Sequence, residues 1–267
     1  CHSGKEFTKV KNKLTEQNLN IDIIFGSGLA EVEKISADTG RLVAEKLGMK
    51  WDSIKFNGTI GSIFMRLSEM ERRFDNCDIV EKTVLRVLRN LYFAGITDDN
   101  NIIRTEWIKK ASAKYELSAK EFEWAGWLKS LEEKEFLRVM PGAKVWVEDA
   151  YLEHVVKPES DASMYEIFHN AVETFHDDHE VLQFTGEKIL FHALDDPQFL
   201  EYMNLAVGAF KRELSLLNGT EQVSQLKKVK YSLGQAYWNL SQSVETKENS
   251  RLAISYYNEM LEYVSPE

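Results

Sequence analysis

The chain is 267 residues long with a formal net charge of −10, enough length for two or three compact domains, each with its own core. Its hydrophobic (43%) and charged (28%) fractions are ordinary for a soluble globular protein, and only four prolines and fourteen glycines argue for helix rather than a loop-rich or all-β chain. No apolar run approaches the roughly 18 to 20 residues needed to cross a bilayer, and Cys1 and Cys77, the two cysteines, are too few for a disulfide framework or a zinc cluster and suit a reducing, cytoplasmic setting.

Residues 5–13 are basic and polar, after which Ile21, Ile23, Ile24 and Phe25 read as a strand that ends in the turn Gly26-Ser27-Gly28. Cys1 stands where a methionine would open a complete chain, and no charged-then-apolar leader follows it. The sequence therefore reads as a piece of a longer protein. Helical spacing then carries Leu29, Val32 and Ile35, followed by Leu42, Val43 and Leu47, with Gly48 as a C-terminal stop. Gly58-Thr59-Ile60-Gly61 breaks the chain before a short helix through Met65, Met70 and Phe74.

From Asp78 a helix places Val80, Val84, Leu85, Leu88 and Leu91 on one face and runs into an acidic turn at residues 98–101. A second helix holds Trp107, Ile108 and Ala111. A third opens on Ser118, which has capping-box spacing to Glu121, and offers Phe122, Ala125, Trp127, Leu128 and Leu131 to a core. Residues 136–140 and 144–147, joined by Pro141-Gly142, make a β-hairpin. Three helices and a terminal hairpin are the plan of a winged helix. Residues 149–156 add one more helix, and Lys157-Pro158-Glu159-Ser160 reads as a linker.

Everything from Asp161 is helical and partly self-similar, with the pattern Ala-x3-aromatic at Ala171 and Phe175, Ala206 and Phe210, and Ala253 and Tyr257. Gly186 precedes Ala206 by 20 residues and Gly234 precedes Ala253 by 19, an agreement hard to obtain by chance. Almost all of the acidic excess lies in this second part, where it repels nucleic acid and anionic lipid.

Leu233-Gly234, Ala236-Tyr237 and the Ala253 to Tyr257 pattern resemble the small-residue positions of a tetratricopeptide repeat, at a helix spacing roughly half a dozen residues longer than usual. Over the whole chain the order of parts resembles the C-terminal portion of a signal-transducing P-loop ATPase of the STAND class: core strand, helical lid, winged helix, helical repeats. The resemblance implies a mainly α fold with a remnant of the NTPase core at 1–28, a helical lid at 29–76, a winged helix with a small β wing at 77–157 and tetratricopeptide-like repeats at 161–267. It places Gly58, Ile60 and Gly61 at the lid turn near a nucleotide, with Ile60 where the family carries proline. It also aligns Glu148 and Asp149 with the family's Met-His-Asp motif, Glu148 replacing the histidine.

No Gly-x4-Gly-Lys-[Ser/Thr] run occurs, so the chain lacks a phosphate cradle and is expected to be non-catalytic by itself. No cofactor is expected in this piece, while ATP or ADP with magnesium is implied for the full-length parent. The implied partners are the missing NTPase core, a protein or peptide received by the repeats, and further copies on activation; no membrane is implied. The alternative is a winged-helix transcription regulator with an effector-binding helical domain, but the third helix sets Lys120 and Lys129 among Glu121, Glu123, Glu132 and Glu133, which face phosphate with like charge. His169, His176, Asp177, Asp178 and His179 carry metal-ligand types, yet acidic residues at a helix junction are more often caps. The tryptophans at 107, 124, 127 and 146 suit a core better than a stacking platform.

Overall fold

The computed structural model describes residues 36–46, 49, 60–97, 101–115, 117, 121–158, 163–194, 196–217, 223–244 and 246–263. The expected core remnant at 1–28, Gly58 of the lid turn and the Ser118 cap lie outside them. The fold is mainly helical with one small antiparallel sheet. The chain divides into two compact units, the first comprising Cys1–Lys82, Lys120–Val139 and Trp146–Lys157, the second Thr83–Ala119, Met140–Val145 and Pro158–Glu267. Residues 77–157 are thus shared between the units, and the division at Lys157 and Pro158 falls in the expected linker.

In the first unit, α1 (Ala37–Lys46) starts where the Ser36 hydroxyl accepts the Thr39 N–H at 3.1 Å. It buries Val43 and Ala44 but leaves Leu42 exposed, so the apolar pair at 42 and 43 does not share one face. Adjacent positions on a helix are about 100° apart, so a buried stripe centred on Val43 and Ala44 turns Leu42 outward. Helix α2 (Ile60–Asp75) packs against α1 and buries Met70 and Phe74, four residues apart.

Helix α3 (Ile79–Phe93) is opened by a reciprocal cap, the Asp78 carboxylate accepting the Glu81 N–H at 2.8 Å and the Glu81 carboxylate accepting the Asp78 N–H at 2.9 Å. Helix α5 (Glu121–Glu133) buries Trp124, Leu128 and Leu131 along one stripe and leaves Ala125 exposed. It closes on Glu135 at φ 63°, where the Phe136 N–H reaches back to the Leu131 carbonyl at 3.0 Å. Arg73 of α2 steadies that turn, donating to the Lys134 carbonyl and pairing with Glu135, both at 3.0 Å.

Strands β1 (Ile102–Arg104), β2 (Leu137–Met140) and β3 (Lys144–Val147) form the sheet in the order β1-β3-β2. The β2–β3 hairpin follows the expected pattern, whereas β1 was not anticipated, because three residues are too few to display alternation. After β3 the expected helix at 149–156 is present, with Asp149 and Ala150 opening it in α geometry and Tyr151–Val155 completing it as a wide turn, whose closing bond runs from the Val156 N–H to the Tyr151 carbonyl at 2.8 Å. Pro158 disfavours helical backbone at Lys157, and Val156 has already turned extended at ψ 104°.

In the second unit, α3 ends at Gly95, where φ is +78° and the Ile96 N–H bonds the Leu91 carbonyl at 2.9 Å. A Cβ at Gly95 would also sit 2.9 Å from the Lys188 Cβ. Gly95→Ala is therefore expected to lose about 2 kcal/mol, combining left-handed strain with a backbone-proximal overlap, as read by urea denaturation. Helix α4 (Thr105–Ser112) buries Trp107 and Ile108 and packs against α6 (Met164–Thr174). Ser163 and Glu166 form the reciprocal cap of α6. Helices α7 (His179–Ala193), α8 (Phe199–Leu216), α9 (Val223–Ser241) and α10 (Thr246–Leu261) follow, each packed on the next.

Candidate functional site

Ile60 and Gly61 are the first two residues of α2. Glu148 is buried and Asp149 half-buried, both just past β3. Helix α2 packs against the Tyr151–Val155 turn that follows them. Glu148 and Asp149 both make interactions within the protein.

The helical array shows what the repeated glycines do. Connections of a few residues make α7 with α8, and α9 with α10, antiparallel hairpins. In the first, Gly186 lies where a Cβ would come 2.5 Å from the Phe210 ring; in the second, Gly234 lies where a Cβ would come 2.6 Å from the Tyr257 ring. Each ring thus fills the space of an absent side chain on the facing helix. In two of the three Ala-x3-aromatic patterns, those of Ala206 and Ala253, the aromatic is the partner of the preceding glycine, and both alanines are fully buried beside it. The two glycines are 48 residues apart, against about 34 in a tetratricopeptide repeat, because the four helices run 15, 18, 19 and 16 residues.

Gly186→Ala and Gly234→Ala are each expected to cost about 1 to 2 kcal/mol, the ring overlap outweighing the helix-propensity gain of about 1 kcal/mol. Gly208→Ala in α8, where nothing lies within 4 Å of the added carbon, is expected to gain about 0.5 to 1 kcal/mol instead. Thermal denaturation of the three variants reads the opposite signs. A loss at Gly208 equal to the others would remove the interlock as the cause.

Between α7, α8 and α9 the array holds a polar cluster. Gln183 donates to Glu187 at 2.7 Å and to the Ser232 hydroxyl at 3.2 Å, while Lys228 pairs with Glu187 at 3.1 Å. Glu213 is 1% exposed and its Oε2 has no hydrogen-bond partner. Burial pushes its carboxyl up to about 8, with Lys228 opposing and Glu187 adding to the rise. On the outside, Tyr231 and Trp238 of α9 stay half exposed (50% and 52%) and, seven residues apart, share a face. Ile254 and Leu261 repeat that spacing on α10 and are also exposed.

The histidine and aspartate cluster serves as structure. Asp178 caps α7 by accepting the Val181 N–H at 3.1 Å and also accepts the Trp107 indole N–H at 3.1 Å. Asp177 pairs with Lys110, whose hydrogen bond holds the Asp177 carboxyl below the usual range. Among the described residues no group of three or more candidate ligands is placed to hold a metal ion, and no helix is long and apolar enough to cross a membrane. Trp107 and Trp124 are buried and Trp127 and Trp146 half-buried, as core tryptophans are. No family model matches the chain, and no curated protein or solved structure is significantly similar to it.

Proposed function

We propose that this chain is a non-catalytic regulatory module that receives a protein partner on its helical array, and that it belongs to the C-terminal portion of a STAND-like switch ATPase. The observation that carries the reading is the order helix, strand, helix, helix, strand, strand with strands arranged β1-β3-β2, followed by long hairpins interlocked through Gly186 with Phe210 and Gly234 with Tyr257. A winged helix joined to a helical repeat is a device for coupling partner binding to a change of state. The half-exposed Tyr231 and Trp238 supply the amphipathic rings that partner surfaces favour.

In this reading Ile60, Gly61, Glu148 and Asp149 face a nucleotide held by an NTPase core, in company with Gly58, and ATP or ADP with magnesium is the parent's cofactor. The coding sequence that precedes Cys1 tests it. A Gly-x4-Gly-Lys-[Ser/Thr] run there, with nucleotide turnover by the longer chain that changes when Trp238 is replaced by alanine, supports the proposal; a preceding sequence without that run sinks the ATPase parentage.

The alternative of a DNA-binding winged helix is disfavoured by α5. Its described carboxylates Glu123, Glu132 and Glu133 outnumber its single cation Lys129, which lies 3.9 Å from Glu133. A salt-dependent shift of duplex DNA by the chain would revive it.

A further inference from the structure

The second unit contains a cleft of about 360 Å³ between the C-terminal half of α3, the end of α4 and α6. Its charge is one-sided. Arg86 and Arg89 of α3 and Lys114, just after α4, line it without any carboxylate among the lining residues, although this unit includes the acidic second part of the chain. Arg86 makes other interactions of its own, so the weight rests on the other two.

Arg89 is fixed with its guanidinium carbon 4.5 Å from the Phe93 ring centroid, a contact that holds the planar group in one orientation. Its Nε is buried and has no hydrogen-bond acceptor. Lys114 lies over the Tyr115 ring at 4.9 Å and, like Arg89, pairs with no carboxylate among the described residues. A buried guanidinium donor with no acceptor is a cost to the folded chain, and the charges of Arg89 and Lys114, facing no carboxylate in the cleft, are what an anion there would neutralise. The remaining lining includes the neutral amides of Asn90 and Asn170, the hydroxyl-bearing Thr174, and apolar surface at Leu91, Ile167 and Phe175.

We propose that this cleft binds a small organic phosphate, the phosphate group held by Arg89 and Lys114 beside Arg86 and the organic body lying against Leu91, Ile167 and Phe175. A single carboxylate carries one negative charge and two oxygens, fewer than these cations can use. A phosphate monoester carries nearly two charges and three acceptor oxygens, matching a guanidinium fork with a neighbouring ammonium. The cavity exceeds the volume of a bare phosphate and falls within the range of pockets that bury a whole small molecule. The site stands apart from the hairpin array and does not depend on the partner-binding reading.

Isothermal titration of the whole chain with ribose 5-phosphate, with AMP and with inorganic phosphate, against sodium chloride at matched ionic strength, tests the assignment. Saturable binding of at least one ester is expected, with inorganic phosphate weaker because it leaves the apolar wall uncovered. Lys114→Gln and Arg89→Gln are each expected to weaken that binding by about tenfold or more. Lys227→Gln, an exposed site on α9, is expected to leave it unchanged. Lys114 is exposed, so its variant folds whatever becomes of the arginine variant. No saturable binding of either ester at about 10 mM, or binding that survives Lys114→Gln undiminished, overturns the site. Equal affinity for inorganic phosphate and its esters overturns the role given to the apolar wall.

Discussion

Glu213→Gln is expected to stabilise the protein near neutral pH and to flatten a fall in stability that the natural chain undergoes between about pH 5 and pH 8. In the folded state burial raises this carboxyl to about 8, from its ordinary 4.5. Between those values the folded chain keeps a proton that the unfolded chain releases. Stability therefore falls as pH rises: the contribution is fully present below the unfolded value and is lost by the time pH passes the folded one. At pH 7 the loss is on the order of 3 kcal/mol, taking about 1.4 kcal/mol for each unit between the unfolded value and the working pH. Glutamine removes the titration but keeps an amide in a place where Oε2 already lacks a partner, so it recovers only part of this. Glu213→Met, similar in volume and without polar oxygens, is expected to recover more. Urea denaturation at pH 5 and pH 8 decides the matter. Parallel behaviour of Glu213→Gln and the natural chain at both pH values would show that the carboxyl is not held neutral.

Glu213 also marks the limit of what the sequence disclosed. Ala206, Phe210, Glu213 and Leu217 recur at helical spacing and all four are buried, so the pattern itself put a carboxyl on the apolar stripe. The glycine and aromatic spacing was legible as a repeat, but its meaning was not: the sequence drew attention to the distance from glycine to alanine, whereas the contact is between Gly186 and Phe210, and between Gly234 and Tyr257. Helices α3, α4 and α5 and the β2–β3 hairpin were readable because their apolar periodicity is sustained. Strand β1 is too short for that. The Asp78 and Ser163 capping boxes were present as plain Asp-x-x-Glu and Ser-x-x-Glu spacings. The cationic cleft was beyond reach, since Arg86 and Arg89 are one helical turn apart but Lys114 joins them only through the fold.

Another buried glutamate, Glu81, behaves in the opposite sense, and Lys134→Met exposes the difference. Glu81 is 2% exposed. It is held as a carboxylate by Lys134, by the Ser130 hydroxyl at 2.7 Å and by the Asp78 N–H at 2.9 Å. Burial alone would push its carboxyl up, but those hydrogen bonds outweigh it and leave it below the usual range. Its contribution to stability is therefore present above the ordinary carboxylate value and is lost as pH falls through the lowered one. Removing the ammonium strands a charge inside the first unit. With Lys134 about a third exposed (37%), the cost of Lys134→Met is expected near 2 to 3 kcal/mol, below that of breaking a fully buried pair. Glu81→Gln keeps a side chain able to complete the reciprocal cap and frees Lys134 to reach water, so it is expected to cost only about 1 kcal/mol. The double variant Glu81→Gln with Lys134→Met should then be more stable than Lys134→Met alone, since no stranded charge remains. The deficit of Lys134→Met should also shrink as pH is lowered toward 4, where the orphaned carboxyl takes up a proton. A double variant no more stable than the single one would mean that Ser130 and the helix cap suffice to hold the charge, and that Lys134 is only a surface neighbour.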